Sequence, residues 1–338
     1  MKLYGGIDLH SNNSVVALLD EEDKVAYRRR LPNDIEIVLA ELEPFREDIE
    51  GLVVESTYNW YWLVDGLMAA GYQVHLANTA AIDQYSGLKY ADDDTDARWL
   101  AKLLRLGLLH EGYIYPKAER PVRDLLRRRS KLVQQHSANL HSIQNLLARN
   151  RGSSLSTNRI KRLTYDEVDT LLPDADLALA IKANLAVLHT QDGVIALLEK
   201  EAKARIKLRP AFKLLQSVSG IGEILSLTIM LETGEIERFA KVGNYASYCR
   251  CVGSKHLSNG KPKGKGNPKN GNKYLAWAYI EAANFAVRFN PQIKRYYQRK
   301  RAHSHPIVAI KAVAHKLARA CYFILRDQVP FDVNRAFV

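Results

Sequence analysis

The sequence predicts a mixed α/β domain at the N-terminus, built around a central sheet, followed by a region that is mainly α-helical. In the first part of the chain, short apolar and β-branched runs alternate with turn residues and then with helical patterns. From residue 121 onward, apolar residues mostly recur at the spacing of one helix face. A chain of 338 residues, 47% of them hydrophobic, is long enough for two or three domains with their own cores.

The order of strands and helices in the first part follows from its turn residues. Apolar runs at 2–9, 14–19 and 24–30 are separated by Ser11-Asn12-Asn13 and Asp20-Glu21-Glu22-Asp23, so we expect three antiparallel strands. The elements expected after them are a helix at 34–46, a strand at 51–55, a helix at 59–69, a strand at 72–77, and helices at 79–88 and 94–108. The order β-β-β-α-β-α-β-α is that of a ribonuclease-H-like domain, although periodicity alone supports only a mixed α/β domain.

Four carboxylates occupy positions that suit metal binding. Asp8 and Glu55 lie within apolar strand runs, where an unpaired buried carboxylate is costly. Asp93 and Asp96 are three residues apart on one face of a predicted helix. A central strand, its parallel neighbour and a following helix bring such residues to one end of a sheet, and Mg²⁺ prefers oxygen ligands. We therefore expect these four acids to hold two Mg²⁺ ions, an arrangement that supports phosphodiester chemistry.

Two long helices are predicted in the middle of the chain. Apolar residues at helical spacing, with a basic cluster at 127–131, predict one amphipathic helix from Pro121 to Arg149. A second helical stretch, from Leu177 to Lys207, has apolar residues partly at coiled-coil spacing. Such helices commonly dimerise, and a hairpin within one chain is the alternative.

A glycine-containing turn follows at Ser219-Gly220-Ile221-Gly222, before a helix predicted at 223–232. Gly220 and Gly222 would let the backbone approach a phosphate and expose amide donors, as in nucleic-acid-binding helix-hairpin-helix motifs. An ordinary turn between two helices is the other interpretation. Further helices are expected at 271–289 and 306–326, joined by the basic, tyrosine-containing stretch 294–301, which suits either nucleic acid or solvent.

A serine lies in the loop from Ser254 to Asn267, which is rich in glycine and lysine. A serine hydroxyl attacks phosphorus when neighbouring basic groups stabilise the developing charge, so Ser258 is a candidate nucleophile. Serine in a glycine-rich loop is more often part of a simple turn. The residues expected to bind nucleic-acid backbone here are Lys255, Lys261, Lys263, Lys265, Lys269 and Lys273.

The net charge of +12 is unevenly distributed along the chain. Residues 1–118 carry 11 Lys and Arg against 20 Asp and Glu, whereas residues 200–320 carry 24 against 6. The acidic part is expected to attract cations and the basic part polyanions such as DNA. Without a membrane-spanning run or a signal-peptide layout, we expect a cytoplasmic, nucleoid-associated protein with no membrane partner. The three cysteine residues have neither disulfide nor zinc spacing and are expected to be reduced.

Taken in order, the motifs resemble the DEDD-type transposases of bacterial insertion sequences, the family numbered one-ten and eleven-eleven, which is related to the Piv-type invertases. In the first part the resemblance rests on Gly6-Ile7-Asp8-Leu9-His10, Val53-Val54-Glu55-Ser56-Thr57 and Asp93-x-x-Asp96-Ala97-Arg98-Trp99. In the second part it rests on Ser219-Gly220-Ile221-Gly222, Glu232-Thr233-Gly234, Arg238-Phe239, Asn270-Gly271-Asn272-Lys273-Tyr274-Leu275 and the stretch 309–317. Their order and spacing are specific, and they cover nearly the whole chain.

The resemblance implies a DNA recombinase with a RuvC-like domain that binds Mg²⁺ through Asp8, Glu55, Asp93 and Asp96, and a serine nucleophile at Ser258. It also implies a structured guide RNA, encoded beside the gene, that pairs with donor and target DNA. The domains expected are a metal-binding domain at 1–118, long helices with a coiled-coil insert at 119–210, and a helical transposase domain at 211–338. We expect a homodimer or homotetramer in which the acidic site of one subunit meets the serine loop of another.

The serine loop departs from the family pattern. Relatives usually have a proline-containing approach and a serine directly before glycine, whereas here Asn259 separates Ser258 from Gly260 and the approach Cys251-Val252-Gly253-Ser254 contains no proline. Ser254 is therefore a rival nucleophile. The alternative function is a metal-dependent Holliday-junction-type endonuclease, in which water attacks and Ser258 only positions phosphate. A scaffold with an inactive nuclease domain is less consistent, because all four acids are present.

Overall fold

The computed structural model describes residues 1–82, 92–206, 209–253, 257–263 and 270–337. The chain forms two compact units, an N-terminal unit from Met1 to Lys117 and a C-terminal unit from Ala118 to Val338. Within the described ranges, no helix is both long and apolar enough to cross a membrane.

The N-terminal unit contains a mixed six-stranded sheet in the part of the chain that the structure describes. Its strands are β1 (Leu3–Leu9), β2 (Asn13–Leu19), β3 (Val25–Pro32), β4 (Ile49–Glu55), β5 (Val74–Ala77) and β6 (Glu111–Gly112). They are arranged in the order β3-β2-β1-β4-β5-β6. The first three strands pair antiparallel, β1, β4 and β5 pair parallel, and β6 is antiparallel to β5. The predicted ribonuclease-H-like arrangement of strands is confirmed.

The two faces of this sheet are covered by different helices, which are α1 (Ile35–Leu42), α2 (Tyr61–Ala69) and α3 (Asp93–Arg105). Alternate residues of a strand face opposite sides of a sheet. Leu3, Ile7 and Leu9 of β1 share a core with α1 and α2, whereas Val15 and Ala17 of β2 pack on α3. Of the helix predicted at 79–88, the structure shows a 3₁₀ turn at Thr79–Ala81, and residues 83–91 lie outside the described ranges.

The C-terminal unit begins with a helical hairpin. Its long helices are α4 (Arg120–Arg151) and α7 (Ala175–Ile206), with the short helices α5 (Thr157–Ile160) and α6 (Tyr165–Leu171) between them. The long helices pack antiparallel, because residues early in α4 contact residues late in α7: Arg129 with Glu199 at 2.8 Å, His136 with Asp192 at 3.0 Å and Asn139 with Gln191 at 3.1 Å. The structure therefore shows the hairpin within one chain, and the coiled coil stays a prediction.

The rest of the C-terminal unit is mainly helical and has its own apolar core. Its elements are α8 (Pro210–Gln216), α9 (Glu223–Thr233), α10 (Val242–Tyr248), the two-residue strands β7 (Leu257–Ser258) and β8 (Lys261–Pro262), α11 (Lys273–Phe289), α12 (Pro291–Arg301), α13 (Pro306–Asp327) and α14 (Val333–Phe337). Tyr245, Tyr279 and Leu317 are fully buried in this core. The basic stretch 294–301 is part of α12, which begins where the Asn290 side chain accepts hydrogen bonds from the amides of Gln292 and Ile293.

Candidate metal centre and serine loop

Asp8 and Glu55 lie next to each other on the face of the sheet that α3 covers. Asp8 is near the end of the central strand β1 and Glu55 is the last residue of β4, which pairs parallel to β1 with Ile7 opposite Val54. Alternation along each strand puts Asp8 on the same face as Gly6, which packs on α3. The predicted position of both acids, at the ends of adjacent parallel strands, is confirmed.

Gly6 allows α3 to approach this face closely. A Cβ atom at Gly6 would lie 1.9 Å from the Ala97 carbonyl oxygen and 2.7 Å from the Ala101 amide nitrogen. These are backbone atoms, which cannot give way without moving the helix. Glycine two residues before Asp8 is therefore required for the first turn of α3 to lie beside the Asp8 carboxylate.

The first turn of α3 supplies the other two acids. The Asp92 side chain caps the helix by accepting a hydrogen bond of 2.9 Å from the Thr95 amide. Asp93 and Asp96 follow within the first turn, three residues apart, and both are partly exposed. Asp94 is directed away to Arg28, whose Nη1 lies 2.9 Å from Asp94 Oδ2.

Asp8, Glu55 and Asp96 of this cluster are crowded together, and some of their buried oxygens lack hydrogen-bond partners. Burial raises the pKa of Glu55 to about 8, assisted by a hydrogen bond to Asp8 and by the charges of Asp8 and Asp96. Burial also raises the pKa of Asp96, and the charge of Asp8 adds to this effect. Asp8 is only 4% exposed, and its Oδ2, like Oδ1 of Asp96, is buried without a hydrogen-bond partner. Such a cluster fits a bound cation, which would neutralise the carboxylates and bind these oxygens.

His10 belongs to the same cluster and was not identified from the sequence. Its Nε2 lies 3.3 Å from Asp8 Oδ2 and 3.2 Å from Asp93 Oδ2, and ligand atoms of these three residues all lie within 4.8 Å of one another. The His10 carbonyl accepts hydrogen bonds from Asn33 Nδ2 at 3.0 Å and Asn59 Nδ2 at 2.9 Å, which fixes the backbone. The spacing Asp8-x-His10 in the motif was the available signal, because residues two apart share one face of an extended chain.

Ser258 lies at a tight hairpin. Ser258 pairs with Lys261 across the two strands, and the turn residues Asn259 and Gly260 have φ angles of 49° and 72°. An Asn-Gly pair with two positive φ angles is the usual type I′ hairpin turn. Ser258, Asn259, Gly260 and Lys261 are all exposed. Directly paired residues project to the same side of the ribbon, so the side chains of Ser258 and Lys261 leave the hairpin on one side.

Two family-wide sequence models match the chain. One, described as "Transposase" and built on DEDD transposases of the IS110 type, matches residues 5–150, and the other, described as "Transposase IS116/IS110/IS902 family", matches residues 212–298. Together they cover more than two thirds of the chain. The chain belongs to the IS110/IS1111 family of DEDD transposases. It is a transposase, a DNA-binding enzyme that transfers phosphoryl groups of DNA.

Among the individual relatives of this transposase are two that are described as transposases and one that is described as an insertion-element protein. The transposase for insertion sequence element IS1111A of Coxiella burnetii is 24% identical over 293 residues, which are 84% of this chain and 77% of the relative. A probable family 20 transposase of Pseudomonas aeruginosa is 23% identical over 295 residues, which are 84% of this chain and 83% of the relative. An insertion element IS110 protein of Streptomyces coelicolor is 24% identical over 149 residues, or 44% of this chain and 36% of the relative.

Both ends of the serine loop are fixed in the transposase by buried contacts. Glu232, which is 3% exposed, accepts hydrogen bonds from Arg127 Nε at 2.7 Å, Arg127 Nη2 at 2.8 Å and Asn272 Nδ2 at 2.7 Å. Asn272 caps α11 by accepting from the amides of Tyr274 and Leu275. At the other end, Arg250 donates from Nε and Nη2 to the Gly271 carbonyl, at 3.0 and 2.7 Å. The motifs around Glu232 and Asn272 therefore hold the base of the loop in place.

The other residues expected to bind nucleic acid have different surroundings. Gly220 has a φ of 91°, and a Cβ there would lie 2.3 Å from the Ala282 carbonyl oxygen, so close packing on α11 is sufficient to explain this glycine. Gly222 is exposed at the start of α9, with open space around its Cβ position. Lys263 and Lys273 are exposed. The rival nucleophile Ser254 and the predicted nucleic-acid-binding residues Lys255, Lys265 and Lys269 lie outside the described residues.

Proposed function

We propose that this transposase cuts and rejoins DNA by combining a Mg²⁺ site, formed by Asp8, Glu55, Asp93 and Asp96, with nucleophilic attack by Ser258. The observation that carries the proposal is the convergence of carboxylates from β1, β4 and α3 on one face of the sheet, with buried Asp8 and Asp96 oxygens that lack hydrogen-bond partners. A purely structural cluster of acids would be expected to have hydrogen-bond donors at those oxygens, whereas His10 Nε2, 3.3 Å from Asp8 Oδ2, makes no hydrogen bond to it.

The acids are suited to hold a hard divalent cation. Asp8 and Glu55 provide oxygens from rigid strands, and Asp93 and Asp96 provide oxygens from a capped helix start. His10 adds an imidazole nitrogen to the same group. When bound, Mg²⁺ would stabilise the charge that develops on the phosphoryl and leaving oxygens.

Ser258 would carry out the covalent step. Its Oγ attacks the phosphorus of a DNA phosphodiester, the bond from phosphorus to one sugar oxygen breaks, and the released sugar takes up the proton that the serine loses. Lys261, which pairs with Ser258 in the hairpin, would stabilise the negative charge on the phosphoryl group. Attack by a sugar hydroxyl of a second strand on the phosphoserine reverses the step, rejoins the DNA and frees the serine.

The basic C-terminal unit would hold the nucleic acid. Lys261, Lys263 and Lys273 are exposed in and after the hairpin, in the part of the sequence with a large excess of basic residues. We include in the proposal the guide RNA and the dimer or tetramer that the family resemblance implies. The domains 1–118, 119–210 and 211–338 would then serve metal binding, subunit contact through a coiled coil, and DNA attack.

Trapping of a protein–DNA bond tests the serine step. The full chain is incubated with Mg²⁺ and a plasmid carrying its own gene with the flanking non-coding DNA and RNA transcribed from it, then denatured and analysed for DNA attached to protein. The proposal expects an adduct with the unchanged protein and with Ser254→Ala, and no adduct with Ser258→Ala. Loss of the adduct only in Ser254→Ala would move the nucleophile to the rival serine. Mg²⁺-dependent cleavage without any adduct would favour a junction endonuclease that uses water.

A further inference from the structure

Arg30 contacts one of the proposed metal ligands directly. It lies on β3, where Arg28 and Arg30 face α3 and Arg29, between them, pairs with Glu41 on the opposite face. Arg30 Nη2 lies 2.6 Å from Asp93 Oδ2, and this contact is the largest cause of the lowered pKa of Asp93. The guanidinium therefore neutralises Asp93 while the other acids of the cluster remain crowded.

The oxygen that Arg30 contacts is also suited to a metal. Asp93 Oδ2 lies 3.2 Å from His10 Nε2, which is itself 3.3 Å from Asp8 Oδ2, within the group of possible ligand atoms. A cation bound to this group would take Asp93 as a ligand and would repel the guanidinium. Arg30 and a metal ion therefore compete for one carboxylate.

A second contact holds Arg30 near the site when Asp93 is taken by the metal. Arg30 Nη1 donates a hydrogen bond of 2.6 Å to Asn13 Oδ1. Asn13 is fixed in turn, because its carbonyl accepts a hydrogen bond of 2.9 Å from the His10 amide. The guanidinium thus has an anchor next to the metal centre that does not depend on Asp93, and it faces an open groove of about 470 Å³ between β3 and the start of α3.

We propose that Arg30 is a positioning residue of the metal centre: it holds Asp93 in the metal-free protein, releases it to the metal, and then binds the DNA phosphate beside the site from its anchor on Asn13. The inference rests on the proposed metal-binding function. One guanidinium group can donate two parallel hydrogen bonds to two oxygens of a phosphate. Because Arg30 would be freed only when the metal is bound, metal occupancy would be coupled to DNA binding.

Metal binding by the full chain without DNA tests the competition. Titration calorimetry with Mn²⁺, used as the probe, is expected to show Arg30→Gln binding Mn²⁺ about threefold to fivefold more tightly than the unchanged protein, the upper part of the range for a half-exposed ion pair. The matched control is Arg28→Gln, which removes the same charge two residues away. Arg28 pairs with Asp94, which is not one of the proposed metal ligands. Arg28→Gln is expected to stay within about twofold of the unchanged protein.

The outcomes separate the inference from the function on which it rests. Unchanged or weaker Mn²⁺ binding in Arg30→Gln would overturn the competition, and equal tightening in both variants would reduce it to a general charge effect. If the unchanged protein binds no Mn²⁺ at all, the proposed metal centre itself fails.

DNA cleavage tests the second role of Arg30. At saturating Mn²⁺, with the same plasmid and RNA, Arg30→Gln is expected to cleave at least about tenfold more slowly despite its tighter metal binding, and Arg30→Lys should recover part of the rate. A residue that only stabilised the fold would lower both metal binding and cleavage. Cleavage by Arg30→Gln at the unchanged rate would overturn the phosphate contact.

Discussion

At the scale of single residues, the metal centre shows which contacts a sequence reveals. Asp8 and Glu55 were predicted as site residues because a carboxylate buried in an apolar strand is costly unless it has a binding partner. His10 was missed although its spacing from Asp8 was a signal. Arg30 was missed because nothing in its local sequence indicates that Asp93, 63 residues away, will lie next to it. Those contacts depend on the register of β3 against β2 and on how α3 packs over the sheet.

Replacing one crowded acid should weaken metal binding while it stabilises the fold. Asp8→Asn is expected to weaken Mn²⁺ binding by at least about 100-fold and to raise the free energy of unfolding of the N-terminal unit by about 1 kcal/mol, since it removes a buried charge that lies close to Asp96. Calorimetric titration and thermal unfolding measure the two effects. Asp94→Asn, outside the metal set, should retain Mn²⁺ binding. A lower melting temperature for Asp8→Asn would contradict the repulsive character of the cluster.

At the scale of elements, close packing rather than propensity positions the site. Strands β1 to β5 and the long helices were predicted well, because each has a regular apolar pattern. The two-residue strands β6, β7 and β8 and the helices α5, α6, α10 and α14 are too short to show one. The approach of α3 to β1 was not visible in the sequence. It depends on Gly6, whose contact with the backbone of α3 is known only from the folded structure, because the sequence shows merely a glycine within a strand.

Gly6→Ala tests this packing. The added methyl would overlap the α3 backbone, so the variant should lose at least about 2 kcal/mol of unfolding free energy and most of its Mn²⁺ affinity, as measured by urea unfolding and calorimetry. Gly112→Ala is the control, because its Cβ would make only ordinary contacts at 3.4 Å or more. Equal stability of the two variants would show that α3 tolerates displacement.

The α4–α7 hairpin should respond to pH through His136. His136 is 6% exposed, and burial lowers its pKa, with Lys161 adding to the effect and Asp192 opposing it. The folded state thus binds the proton less readily than the unfolded state, so stability is full above the ordinary pKa of 6.5 and is lost as the pH falls through the lowered value. Urea unfolding between pH 8 and 5 should show a smaller loss for His136→Gln. The exposed His189→Gln should behave like the unchanged protein.

At the scale of the whole molecule, the division into two units determines which part of the chain loses stability or binding when a residue is replaced. The sequence indicated this division through its charge, acidic at the start and basic towards the end. It did not indicate the internal support of the serine loop, because the ion pair of Arg127 with Glu232 joins residues 105 positions apart. Motifs that resembled family signatures proved, at Glu232 and Asn272, to be buried hydrogen-bonding groups.

Glu232→Gln should damage one unit and leave the other intact. Loss of the charge that Arg127 and Asn272 contact is expected to cost the C-terminal unit about 3 kcal/mol of unfolding free energy and to reduce adduct formation by Ser258. Mn²⁺ binding by the same protein should be unchanged, because the acids belong to the N-terminal unit. A parallel fall in Mn²⁺ affinity would show that the two units do not act independently.

Because a two-residue turn follows Ser258, the number of residues in this segment is more tightly constrained than the identity of its side chains. Inserting one amino acid between Asn259 and Gly260 would lengthen the turn, and a one-residue shift of the strand register in response would move the Ser258 side chain to the other side of the ribbon. The hydroxyl would then face away from its lysine although both residues were still present. During evolution, this segment should therefore accept amino-acid substitutions more readily than the insertion of a single codon.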